Sequence, residues 1–425
     1  MSKDVPVGYK LTEVGVIPED WEIMSLCDLT TDIGDGIHST PQYVKISKFY
    51  FINGNNLLNG EISITDNTMC VSKDEYLRIK KRLNNQTILL SINGTIGNLA
   101  FFNDEDIVLG KSAAYININP LTNKDYVFYS LMTTATSRYF ESELTGTTIR
   151  NLSLATLRKT PIPFPKCEKE QRLIACVLSD TDALITSLDK LIAKKRDIKQ
   201  AAMQQILTGK QRLKGLGDSS GKFKQTEIGL IPEDWDIKRV GDICDFIVPG
   251  RNKPRIFEGD IPWITTPDLE DGRSVSKSRL NLYISKDEAK NVGSKIVPTG
   301  SILMSCVGEL GIVALTENEI VINQQLHAFI PSSIIDKFFL LNVIKIQKNY
   351  IEGLATKTAV PYLNKDNCNS IPILLPSLPE QRAIAKVLSD IDSEISALEQ
   401  RRDKTKALKQ AMMQELLTGK TRLKS

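Results

Sequence analysis

Apolar residues recur at alternating steps of four and three along two separate stretches of the chain. Ile174, Leu178, Thr181, Ile185, Leu188, Ile192, Ile198, Ala202 and Ile206 mark the first stretch; Ile384, Leu388, Ile391, Ile395, Leu398, Leu408, Met412 and Leu416 mark the second. This is the heptad spacing of a helix with one narrow apolar seam. Such a seam suits one partner helix better than a broad core. Each helix would run roughly 60 Å at ~1.5 Å per residue. Gly209 and Gly419, each inside a Leu-Thr-Gly-Lys run, are placed as C-terminal stops. The seam turns polar in the same place in both, at Lys195 and at Arg402 with Thr405. There the pattern predicts a phase step to Ile198 and Leu408, where the helices drift apart or fix their register.

The two stretches are one sequence written twice. EQRLIACVLSD starts at Glu170 and EQRAIAKVLSD at Glu380, and the copies align without a gap to Lys214 and Lys424. A repeat of this length takes precedence over any other reading of the fold. Two similar long helices in one chain are natural partners, although two separate surface helices would give the same pattern.

The duplication extends beyond the helices. TEVGVIPEDW at 12–21 returns as TEIGLIPEDW at 226–235, ILLSINGTIGNLAFF at 88–102 as ILMSCVGELGIVALT at 302–316, and LSLATLRKTPIPFP at 152–165 as LNKDNCNSIPILLP at 363–376. Gly15 and Gly229 make turns, and Trp21 and Trp235 plug small cores. The second pair reads as buried strands around glycine turns, and the prolines of the third forbid helix and force extended chain. Asp125–Thr134 and Asp336–Tyr350 are expected to be helices. Loops at 29–60 and 243–272, and at 103–120 and 317–331, diverge between the copies. The domain order is thus 1–165, helix 166–214, 215–376, helix 377–425, with a polar join at 215–222. The fold class expected is α+β: two pseudo-repeated globular domains separated by two long helices, with pseudo-twofold architecture.

At 425 residues the chain exceeds one ordinary core. With 41% hydrophobic and 25% charged residues it reads as soluble and cytoplasmic, with no secretory leader. A net charge of +3 permits a nucleic-acid partner without arguing for one. The segment 166–214 carries eleven Lys/Arg against six Asp/Glu, much of the excess at Lys194, Lys195, Arg196 and Lys199. That face is either solvated or a docking surface for phosphate or a protein. Seven scattered cysteines, no CxxC pair and two histidines argue against a Cys/His metal site. No phosphate-cradling GxxxxGK[ST], methyl-donor loop, GxSxG elbow or acid/base pair is present, so no catalytic residue is expected. His327 lies in an apolar strand as a core or groove-wall residue.

The order of these elements, with IPEDW openings (Ile17–Trp21, Ile231–Trp235), EQR helix starts (Glu170–Arg172, Glu380–Arg382) and LTGK helix ends (Leu207–Lys210, Leu417–Lys420), resembles the specificity subunit of type I restriction–modification systems over essentially the whole chain. The resemblance implies two target recognition domains, each reading half of a split, asymmetric site in double-stranded DNA. It implies an antiparallel coiled-coil spacer between them. The subunit would have no catalysis and no cofactor of its own. Two methyltransferase subunits carrying S-adenosylmethionine, and two restriction subunits using ATP and Mg, would be its partners.

Direct reading of bases needs donors and acceptors on loops. Candidates in the first domain are His38, Ser39, Thr40, Asn53, Asn55, Asn56, Asn93, Thr95, Lys111, Thr147, Thr148 and Arg150. In the second they are Arg251, Asn252, Lys253, Arg255, Thr265, Thr266, Glu309, Gln324, Gln325, Lys357 and Thr358. The RNKPR run at 251–255 stands out, with three cations in five residues. The reading from another class is a coiled-coil structural adaptor without DNA recognition, which would show no salt-dependent DNA binding.

Overall fold

The computed structural model describes residues 5–144, 150–217, 221–226, 228–249, 252–356 and 358–423. It divides into two compact units: Met1–Asp189 with Gln400–Ser425, and Lys190–Glu399. The heptad stretches are helices of 39 residues each, Glu168–Ile206 and Leu378–Leu416. Both cross from one unit to the other along the chain. No helix among the described residues is long and apolar enough to cross a membrane.

In the first unit, a hairpin of Tyr9–Thr12 and Gly15–Pro18 turns at Gly15, whose φ of +115° only glycine adopts readily. The strand Trp21–Ser25, which follows the hairpin, pairs antiparallel with Pro161–Pro165, the domain's last strand. Between them lie two sheets. One has the order Leu99–Phe101, Thr87–Ser91, Ala113–Ile118, Thr30–Asp35, antiparallel throughout. The other joins Ile107–Leu109 in parallel to Phe49–Ile52, with Cys70–Val71 and Tyr43–Val44 beyond. Helices Lys124–Leu131 and Thr134–Ser142 start at the caps Asn123 and Thr133 and bury Tyr126 and Phe140 in the core that holds Ile88 and Leu90.

The second unit repeats this plan. Phe223–Thr226 and Gly229–Pro232 form the hairpin, and Asp236–Arg239 pairs with Pro372–Leu375. Strands Cys244–Ile247, Leu326–Pro331, Ile302–Ser305 and Val313–Thr316 form the antiparallel core, with Arg273–Val275 added in parallel at the edge. Ile261–Ile264 and Ile320–Ile322 reproduce the parallel pair of the other sheet.

Some local expectations change. The segments preceding each long helix are not wholly extended: Leu154–Lys159 and Lys365–Asn369 are short helices, capped by Ser153 and Asn364. The prolines act only after them, in the strands. The expected helix Asp336–Tyr350 is two, Lys337–Ile346 and Lys348–Gly353, parted at Gln347.

The polar middle of the seam also differs. Ile198 and Leu408 are 44% and 57% exposed, so no phase step occurs. The heptad runs on in phase, through Lys195 and Lys199 on one helix and Arg402, Thr405 and Lys409 on the other, all partly buried. Long aliphatic stems fill the seam while the charged ends pair at its edge. Within the first unit Lys409 reaches Asp182 at 2.6 Å and Arg402 reaches Asp189 at 3.3 Å. Asp182 and Asp189 ascend one helix as Lys409 and Arg402 descend the other, which is an antiparallel pair in register. Within the second unit Lys199 meets Asp392 at 2.6 Å, Lys195 meets Glu394 at 2.8 Å and Arg196 meets Glu399 at 2.5 Å. The basic run 194–199 is therefore largely spent between helices; among the described residues Lys194 carries no such pair, and it is exposed.

Each unit is closed by one buried node. Trp21, 0% exposed, donates its indole N–H to Glu170 Oε2 at 3.3 Å. Glu170, 4% exposed, receives Arg422 Nε and Nη2 at 2.6 and 2.8 Å. Arg422 also grips Asp20 with two bonds of 2.8 Å. The second unit repeats every contact. Trp235 donates to Glu380 at 3.2 Å, Arg212 binds Glu380 at 2.6 and 2.7 Å, and it binds Asp234 at 2.8 and 2.9 Å. The carboxylates raise each guanidinium's pKa further above its ordinary value, Glu170 contributing most at Arg422 and Asp234 at Arg212. Gly419 and Gly209 fit because a Cβ would lie 2.5 Å from Pro18 and Pro232 respectively.

Removing the arginine strands a buried carboxylate. Arg422→Ala should cost the first unit about 3–5 kcal/mol, read as a lowered urea midpoint. Arg402→Ala, which breaks a more exposed and solvent-screened pair, should lower that midpoint far less. Equal losses would show that the node is no more than a surface ion pair.

Candidate functional site

Five loops of the first unit meet at the turn Gly110–Ser112. The Ser112 hydroxyl donates to Asn53 Oδ1 at 3.0 Å and accepts the Gly54 N–H at 2.9 Å. Its carbonyl accepts Ile92 N–H at 2.9 Å, and Gly110 N–H donates to Ile52 at 2.8 Å. Ile37 N–H donates to Leu109, which carries the His38 loop to the same place. Asn93 Nδ2 donates to the Lys111 carbonyl at 3.3 Å, and Asn93 bridges to Asn151, beside Arg150. The chains approach too closely for side chains at some points. A Cβ on Gly110 would lie 2.2 Å from Asn53 Oδ1, and one on Gly54 would lie 2.7 Å from Ser91.

The second unit builds the same cluster on the turn Asn323–Gln325. The Gln325 carbonyl accepts Cys306 N–H at 2.7 Å, as Ser112 accepts Ile92. Asn323 N–H donates to Ile264, as Gly110 does to Ile52, and Leu363 N–H donates to Cys306, as Leu152 does to Ile92. The turn at Asn53–Asn56 has its counterpart at Thr265–Asp268, where Asp268 Oδ2 accepts the Thr265 N–H and hydroxyl, both at 2.7 Å. Main-chain bonds build the frame, so it holds while the side chains on its rim change.

The sequence candidates fall into three groups. Exposed on the first rim are His38, Ser39, Thr40, Asn55, Thr95, Lys111 and Arg150; His38 Nε2 lies 2.8 Å from Asp35 Oδ2. Asn53, Asn56 and Asn93 instead hold the loops, Asn56 Nδ2 bonding the Ser63 carbonyl at 3.1 Å. In the second unit Gln324, Gln325, Glu309 and Thr358 are exposed. Thr266 reaches Gln325 Oε1 at 3.3 Å, Glu309 lies 3.8 Å from Lys348, and Thr358 bonds the Val360 carbonyl at 2.7 Å. The RNKPR run rests on other contacts. Lys253 sits over the Trp263 ring at 5.7 Å, and the backbone N–H of Arg255 donates to the buried Glu288 at 2.7 Å, while Asn252 is exposed. Thr147, Thr148, Arg251 and Lys357 lie outside the described residues.

Sequence reasoning missed Ser112 and Glu288, which fix the loops rather than display groups. No sequence signal marks Ser112: it lies where the copies diverge, and its match to Gln325 is a match of hydrogen bonds. It also kept apart Cys306, His327 and Cys368, which the fold gathers in one place.

The model of the type I restriction modification DNA specificity domain matches residues 18–198 and again 232–408. The chain is 30% identical to a Methanocaldococcus jannaschii protein assigned as the MjaX specificity subunit of a type I restriction enzyme, over 98% of this chain and 97% of that one. It is 25% identical to the MjaVIII specificity subunit of the same organism, over 96% and 95% of the two chains. Its fold is similar to the crystal structure of a type I restriction–modification S subunit from M. genitalium, with a TM-score of 0.57, 17% identity, and 96% and 97% of the two chains covered.

Ser112→Ala should remove two bonds of the first cluster, costing about 1–2 kcal/mol and raising hydrogen exchange of the Gly54 amide. Lys111→Ala, which changes an exposed side chain, should leave both unchanged; unaltered exchange in Ser112→Ala would mean that the hydroxyl does not organise these loops.

Proposed function

Since this chain belongs to the family of type I restriction–modification specificity proteins, we propose that its two loop clusters each read one half of a bipartite, asymmetric DNA target. The carrying observation is the same main-chain frame occurring twice with different side chains on its rim. Two similar frames suit the two halves of one duplex site, and different rims suit halves of different sequence. The rim residues would act in two ways. Lys111 and Arg150 supply cations for phosphate, while Ser39, Thr40, Asn55, Gln324 and Gln325 offer donors and acceptors to base edges. The subunit itself performs no catalysis and binds no cofactor. Two methyltransferase subunits with S-adenosylmethionine, and two restriction subunits with ATP and Mg, assemble on it, and the paired helices set the number of unread base pairs between the halves.

The test is selection of duplexes from a random pool by the full chain assembled with its methyltransferase. One split site should emerge. Exchanging residues 1–165 for another such domain should change one half only, and four residues inserted near Lys194 in the helix should alter the gap. Emergence of a single continuous site, or of none, would sink the reading. Removing one phosphate contact with Lys111→Ala should lower the slope of log affinity against log salt by ~0.9; an unchanged slope alongside unselective binding would favour a structural adaptor.

A further inference from the structure

Cys306, His327 and Cys368 come from three separate elements of the second unit. Cys306 follows the strand Ile302–Ser305, His327 lies on the neighbouring strand Leu326–Pro331, and Cys368 sits in the short helix Lys365–Asn369. Their exposures are 1%, 7% and 0%. The two sulfurs are 3.7 Å apart and His327 Nδ1 is 3.4 Å from Cys368 Sγ, with all three donor atoms within 4.8 Å of one another. Zinc bonds of ~2.3 Å to sulfur and ~2.0–2.1 Å to nitrogen, at tetrahedral angles, place two sulfurs ~3.8 Å apart and sulfur from nitrogen ~3.5 Å. Two of the three spacings already agree, and the third lies within 4.8 Å.

The duplication supplies an internal control. Ile92 occupies the place of Cys306, since its N–H bonds the matching turn. Ala114 faces Leu90 as His327 faces Met304, and Leu157 lies four residues past the cap Ser153 as Cys368 lies four past Asn364. Ile92, Ala114 and Leu157 are all buried in the first unit's core. One frame therefore fills this volume with aliphatic side chains, while the other places three metal-ligating groups there together.

We propose that Cys306, Cys368 and His327 form a binding site for a thiophilic divalent cation of the zinc class. Two thiolates and a neutral imidazole around Zn²⁺ carry no net charge, which suits a buried site. On binding, both thiols release their protons to solvent. Three protein donors leave the fourth corner to a water or small anion. The Cys306 N–H and carbonyl hold the turn at Gln325 and the segment at Leu363. The ion would therefore pin the second rim from beneath, in a way the first rim does not need.

The experiment uses the full chain, stripped by a chelator under reductant and titrated with Co²⁺. One ion per chain should bind with thiolate-to-cobalt charge-transfer absorption and the intense visible bands of tetrahedral cobalt, and Zn²⁺ should displace it. Cys368→Ser should weaken binding by more than the ~100-fold typical of outer-sphere changes. The triple variant Cys306→Ile, His327→Ala, Cys368→Leu copies the first unit's packing; it should fold, as read by circular dichroism, and lose the signal. Absence of tetrahedral cobalt in the parent chain would overturn the proposal, as would a signal persisting in the triple variant or a Cys306–Cys368 disulfide that survives the reductant. The readout is the metal, so its failure leaves the DNA reading untouched.

Discussion

A carboxylate taken out of water must be neutralised where it sits, and Glu170 and Glu380 impose that demand on the fold. Each lies at the first turn of a long helix, 4% and 1% exposed, under a tryptophan whose N–H also needs an acceptor. The partner is an arginine near the opposite end of the chain segment that pairs with that helix: Arg422 for Glu170, Arg212 for Glu380. Neither unit can complete its node from its own contiguous domain. The IPEDW openings, EQR starts and LTGK ends, which look like unrelated signatures in sequence, are parts of this one arrangement. The proline and aspartate flank the tryptophan, and the glycine lets the helix end approach.

The nodes fix the frame, and the frame in turn frees the rim. The loops around Ser112 and Gln325 are held mainly by main-chain donors and acceptors, which do not depend on side-chain identity. A glycine at a close approach, as at Gly54, becomes Thr266 in the other copy once the neighbouring turn is rearranged around Gln325. This separation of support from display is what allows one fold to carry two different surfaces. The parallel strand pair beneath each cluster belongs to the support, and its side chains are almost wholly buried in both units.

Repeated sequence was the legible part. Helix extents, the tryptophan cores, the strands at Thr87–Ser91 and Ile302–Ser305 and the closing glycines all follow from patterns that occur twice. The misreadings have local causes. Leu154–Lys159 is too short for periodicity to reveal, and a serine cap outweighs prolines that lie beyond its end. Lys195 and Lys199 were read by their charge, whereas their stems decide the seam, and the visible apolar residue Ile198 drew the phase away from them. The loop clusters were foreseen as a list of residues but not as a place, because convergence depends on sheet order. Cys306, His327 and Cys368 escaped for the same reason: metal spacing was sought along the chain, and these donors are adjacent only across strands.

The charged middle of the seam makes sense once the nodes are in view. An ion pair at a half-buried seam is no more stabilising than a well-packed leucine, and its use is to discriminate between registers. Moving one helix by a heptad would bring Asp182 to Arg402 but leave Lys409 without its partner, and in the second unit one direction of slip would set Lys199 against Ala385. The same slip would carry Arg422 about 10 Å from Glu170, at ~1.5 Å per residue. An apolar seam alone would resist such movement weakly, since leucine meets leucine again after seven residues. Within each unit, the pairs along the seam and the node at the helix end are satisfied together in one register only.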